Sequence, residues 1–126
     1  MVQTDISQLS KECNQWREHL RFSREELNNF RIQLQHVAGK SLSKQQLTDL
    51  EHYQNQLHIQ LINIHDLKQA VKAHDKKISL EVALTGGLVT EDTYTDHENL
   101  YNEYQSLDQT LSDLSSDFKG FVNSLS

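Results

Sequence analysis

The sequence contains no proline, and its four glycines are confined to positions 39, 86, 87 and 120. Without proline nothing removes a backbone donor from a helix interior, and three of the four glycines fall where long helices would have to stop. Cysteine is nearly as scarce. Cys13 alone cannot close an intramolecular disulfide, so no disulfide framework holds the chain. At a core-facing position it is expected to act as a small buried hydrophobe rather than as a nucleophile. No apolar run approaches the ~20 residues that a membrane-spanning helix requires, and the opening MVQTDIS lacks the basic and apolar regions of a secretory signal. These absences point to a cytoplasmic protein.

Positive charge is also in short supply. Lysine and arginine number 12 against 18 aspartates and glutamates, the net charge is -6 and the mean hydropathy is -0.69. Such a balance argues against a general attraction to nucleic acid or to an anionic membrane. The excess is uneven: about +1 over residues 1–40, about 0 over 41–89 and about -7 from residue 90 onward.

What is present is helical periodicity. Ile6, Leu9, Cys13, Trp16, Leu20, Ser23, Leu27, Phe30, Leu34 and Val37 follow steps of three and four, the a/d seam of a heptad repeat. Gly39 then offers the left-handed conformation that ends a helix. Ser43 and Gln46 have capping-box spacing, so a second helix is expected from about residue 44. Its core column is Leu50, Leu57, Ile64, Val71 and Ile78, and Gly86-Gly87 stops it at about residue 84. Residues 88–94 read as a loop with Thr95 and Glu98 as the next capping box, and Leu100, Tyr104, Leu107, Leu111, Leu114, Phe118, Phe121 and Leu125 continue the pattern.

The expectation is therefore an all-α protein, one domain over 1–126. It is an elongated up-down-up three-helix bundle with heptad packing, its helices spanning about 4–38, 44–84 and 96–124, and it has the potential to dimerise. The layout, with Trp16 on the inner face of the first helix, resembles that of spectrin repeats as an architecture. Arg17, Arg24 and Arg31 form a basic e-position stripe on the first helix. They are expected to face the acidic g positions Asp96, Glu103 and Asp117 of the parallel third helix.

Catalytic and metal patterns fail on spacing. His52, His58, His65 and His74 lie on the second helix, but His58 and His65 stand ~10 Å apart along its axis, too far for one ion. Asp49-x-x-His52 is a single, unpartnered fragment of a carboxylate-bridged di-iron pattern, and no His-x-x-x-His occurs. Gly86-Gly87 is not followed by the Gly-Lys-Ser/Thr of a phosphate loop, and no Gly-x-Ser-x-Gly marks a nucleophile. No catalytic residue, cofactor or metal ligand is assigned, and the protein is read as a non-enzyme carrying no stoichiometric transition metal.

The functional expectation is a helical interaction or scaffold module. Its alternatives are a small acidic export or folding chaperone that holds a client helix and, behind both, a histidine-containing metal-binding bundle. The segment LHIQLINIHDL, residues 57–67, is apolar nearly all round, with Ile59 and Ile62 at the outer f and b positions. With His52, Asn55, Asp66 and Ala73 at its flanks, this face is the candidate interface, and its partner is a second copy of the chain or another helical protein.

Overall fold

The computed structural model describes residues 6–125. Helix α1 (Ile6–Ala38) buries Leu9, Cys13, Trp16, Leu20, Leu27, Phe30, Leu34 and Val37, the seam read from the repeat. Only the seam positions Ile6 and Ser23 stay half-exposed. The expected start at about residue 4 lies outside the described residues. It ends at Ala38 as expected, but not through a left-handed Gly39, because positive φ occurs only at Gly86 and Gly87 among the described residues. The Gly39 and Lys40 N–H groups instead donate to the His36 and Val37 carbonyls at 3.3 and 3.0 Å. These tighter i to i−3 bonds satisfy carbonyls that the helix end would orphan, so no left-handed residue is needed.

Helix α2 (Lys44–Thr85) opens on the expected capping box: Ser43 Oγ accepts from the Gln46 amide at 3.1 Å, and Gln46 Oε1 accepts from the Ser43 amide at 2.8 Å. It closes on Gly86 at φ 76°, whose N–H donates to the Val82 carbonyl. A residue with a Cβ would be strained there, which explains glycine at this position.

Helix α3 (Glu91–Ser124) begins well before the expected residue 96, so the connector shrinks to a few residues. Two threonines compete for the N-cap, and α2 decides between them. The Thr90 and Thr93 hydroxyls donate to the two carboxylate oxygens of Glu81 at 2.8 and 2.6 Å, and the Thr93 amide donates to Thr90 Oγ1. Thr95 lies one turn inside, its hydroxyl bonded to the Glu91 carbonyl at 3.2 Å. Glu91 and Asp92 in the first turn also suit the positive end of the helix dipole.

The bundle is all-α, up-down-up, around one apolar core drawn from all three helices. At 1.5 Å per residue the helices are about 50, 63 and 51 Å long. Phe30 of α1 stacks on Phe118 of α3 with centroids 4.4 Å apart, and Tyr53 of α2 meets Phe118 edge-on at 5.6 Å. Among the described residues no helix is long and apolar enough to cross a membrane.

The basic stripe does not face α3. Arg17 pairs with Asp75 of α2 at 3.3 Å, while Arg24 and Arg31 line a groove against Leu61, His65 and Lys68 of α2. Asp96 of α3 is taken by Lys77 of α2 at 3.0 Å, and α1 meets α3 on its opposite flank through His19 and Asp108 at 2.7 Å. Antiparallel neighbours pair e with e and g with g, so the hand in which the three helices are arranged chooses the partners of each flank. A heptad pattern is compatible with either hand.

Candidate functional site

Near one end of the bundle each helix places a polar residue on its core seam at the same level. Cys13 of α1, His74 of α2 and His97 of α3 are buried, with exposures of 0%, 5% and 7%. One ligating atom from each lies within 4.8 Å of the others. His74 Nε2 and His97 Nδ1 are 2.9 Å apart, so one proton is shared between the two nitrogens. Spacing along α2 alone does not register this set, which forms across three helices, and with α3 expected from residue 96 His97 falls in a first turn.

The surroundings define the protonation states. His97 Nε2 has no hydrogen-bond partner among the described residues, and the Glu12 carboxylate faces it at 3.6 Å. The indole of Trp16 packs on the His97 ring at 4.7 Å and holds its plane. Burial, then the nearby Asp75 carboxylate, pushes the Cys13 thiol up to about 12, so it is a neutral S–H in the metal-free protein. Burial and the adjacent His97 lower the pKa of His74, which keeps that imidazole neutral as well. A neutral thiol beside the neutral His74 imidazole is a poor nucleophile, which argues against Cys13 as an acyl- or thiol-transfer residue.

The other candidate surface is the outer face of α2. Ile59 and Ile62 are 38% and 47% exposed, and His52, Asn55, Asp66 and Ala73 are exposed with them. Leu80, three heptads along the same column as Ile59, is also exposed. The six residues singled out from the sequence thus share one solvent-facing strip of helix. His52, His58 and His65 are exposed, His52 against the ring of Tyr53, so His74 alone of the α2 histidines reaches the core.

A third feature is a groove of about 560 Å³ between α1 and α3. Phe22, Ser23 and Glu26 form one wall, and Leu111, Ser112 and Ser115 form the other. Small side chains at Ser23 and Ser115 leave this flank open where bulky residues would close it.

The chain matches no known protein family, no curated protein and no solved structure.

Proposed function

We propose that the protein is a non-enzymatic helical interaction module of the cytoplasm that pairs with a second copy of itself across the outer face of α2. The observation that carries this reading is the exposure of Ile59 and Ile62, one turn apart, on a helix whose inner face is already filled. In a two-fold antiparallel crossing centred between them, Ile59 of one copy meets Ile62 of the other. Asn55 then falls opposite Asp66, so an amide faces a carboxylate beside the isoleucines.

The magnitude sets the strength of the pairing. Removing the still-exposed parts of four isoleucines from water contributes about 3–5 kcal/mol, against the ~8 kcal/mol of a micromolar complex, with flanking contacts supplying the remainder. The expected association is therefore micromolar rather than nanomolar. Light scattering on the wild type should give a dimer at tens of micromolar, and Ile59→Glu with Ile62→Glu should give a monomer of unchanged helical content. A wild type that stays monomeric throughout that range contradicts the reading.

A second reading, a chaperone for a client helix, is favoured by the open groove between α1 and α3, where Phe22 is 56% exposed. In that case Phe22→Glu, and not the α2 pair, abolishes binding of an amphipathic helical peptide.

A further inference from the structure

We propose that Cys13, His74 and His97 form a zinc site that ties the three helices together at one level, with the Glu12 carboxylate holding His97 in its ligating tautomer. The inference is independent of self-association through α2.

The donor set is the first argument. One soft sulfur and two imidazole nitrogens match the ligand preference of zinc and fit poorly to magnesium or calcium, which take oxygen. All three donors are buried, and each comes from a different helix.

Geometry is the second argument. In a tetrahedral site with metal–nitrogen bonds of ~2.0–2.1 Å and a metal–sulfur bond of ~2.3 Å, donor atoms stand about 3.3–3.6 Å apart. The present ligand atoms, all within 4.8 Å of one another, need to close by about an ångström at the widest separation. His74 Nε2 and His97 Nδ1, now 2.9 Å apart, need to open by about 0.4 Å.

The unpartnered nitrogen is the third argument. A ligating imidazole ordinarily donates its other N–H to a carboxylate or carbonyl, which fixes the tautomer and strengthens the ligand. His97 has that arrangement in incipient form, its Nδ1 facing His74 and its Nε2 facing Glu12 at 3.6 Å without a hydrogen bond. Leaving a buried donor unpaired is costly. A cation on Nδ1 would polarise the ring, strengthen Nε2–H as a donor and draw Glu12 in.

The proton balance follows. The Cys13 S–H bond breaks as the sulfur–zinc bond forms, and its proton leaves to solvent. The proton between His74 Nε2 and His97 Nδ1 is exchanged through solvent for one on the far nitrogen of whichever ring carried it, which frees both facing lone pairs. A water completes the coordination. The cleft between α2 and α3, lined by His74, Lys77, Asp96 and Asn99, gives the ion and the water a route in.

The test uses the full chain, stripped with a chelator and titrated with Co²⁺ and then Zn²⁺. One equivalent of Co²⁺ should give tetrahedral d–d bands with a thiolate-to-cobalt charge-transfer band, and one equivalent of Zn²⁺ should displace it. Cys13→Ser should abolish the charge-transfer band. His74→Gln and His97→Gln should each weaken binding at least tenfold, and Glu12→Gln should weaken it about 10–100-fold while leaving the stoichiometry at one. His58→Gln and His65→Gln serve as surface controls and should change nothing. Circular dichroism of each variant separates loss of ligand from loss of fold, and the wild-type titration stands without any variant. Absence of a one-equivalent complex in the wild type, or a cobalt spectrum unchanged in Cys13→Ser, overturns the proposal.

Discussion

Phe118 is the side chain on which the three helices converge, and its removal is the sharpest test of the packing. It is fully buried on α3, stacked on Phe30 of α1 at 4.4 Å and met edge-on by Tyr53 of α2 at 5.6 Å. Truncation to alanine forfeits up to about 3 kcal/mol of transfer free energy and two ring contacts of about 0.5–1.5 kcal/mol each. It also leaves a cavity that helices anchored on both sides cannot fully collapse. The sum is limited by partial relaxation to about 4 kcal/mol, within the range for buried phenylalanines. For a protein of this size that is a large fraction of the whole stability. At a urea dependence of about 1.5–2 kcal/mol per molar, the unfolding midpoint should fall by about 2–3 M. Phe22→Ala is the matched control, because Phe22 is 56% exposed on α1 and its loss should cost under about 1 kcal/mol. Equal midpoint shifts in the two variants would refute the packing of α3 against α1 and α2.

Three further outcomes follow from local structure. Thr90→Ala removes the N-cap of α3 and should cost about 1 kcal/mol in a thermal or urea melt, whereas Thr95→Ala, inside the helix, should be near neutral; the reverse order would restore the later helix start. Gly120→Ala, with nothing within 4 Å of the added Cβ, should stabilise by about 0.5–1 kcal/mol, while Gly86→Ala at φ 76° should destabilise by about 1 kcal/mol. Hydrogen bonds from Thr93 and Thr90 hold the Glu81 carboxyl below the usual glutamate range. The stability it contributes is present above the unfolded pKa and is lost as pH falls through the depressed folded value. Melts of wild type and Glu81→Gln should therefore differ at neutral pH and converge in acid, and a gap that persists at low pH contradicts that linkage.

How legible these features were depends on whether local or tertiary physics decides them. The seam of α1, the capping box at Ser43 and the glycine stop at Gly86 are local matters of spacing and backbone freedom, and they stand in the structure as the residues imply. The start of α3 is not local, since Thr90 and Thr95 are both competent caps and only the carboxylate of Glu81, on another helix, selects the first. The partners of Arg17 were equally hidden, because the hand of the bundle decides whether its flank meets Asp75 or Asp96. The buried cluster left a weak signal. His74 and His97 each interrupt an apolar seam, and short connectors alone would level Cys13 and His97 each to within about two turns of His74. Spacing within a single helix does not register it. The outer positions of Ile59 and Ile62 were legible because the repeat distinguishes solvent-facing from core-facing residues without reference to the neighbours.

Both the Cys13, His74 and His97 layer and the outward face of α2 depend on which flank of α1 lies against α2. Ser10 Oγ donates to Asp75 Oδ1 at 2.9 Å across that boundary. The most direct measurement is oxidative cross-linking of Ser10→Cys with Asp75→Cys in a Cys13→Ala background, read by mobility under denaturing conditions with and without reductant. The pair should close an intramolecular disulfide in high yield, while Arg17→Cys with Asp96→Cys, the pair of the opposite hand, should stay reduced. A disulfide between positions 17 and 96 with none between 10 and 75 would contradict the arrangement of the helices and the site built on it.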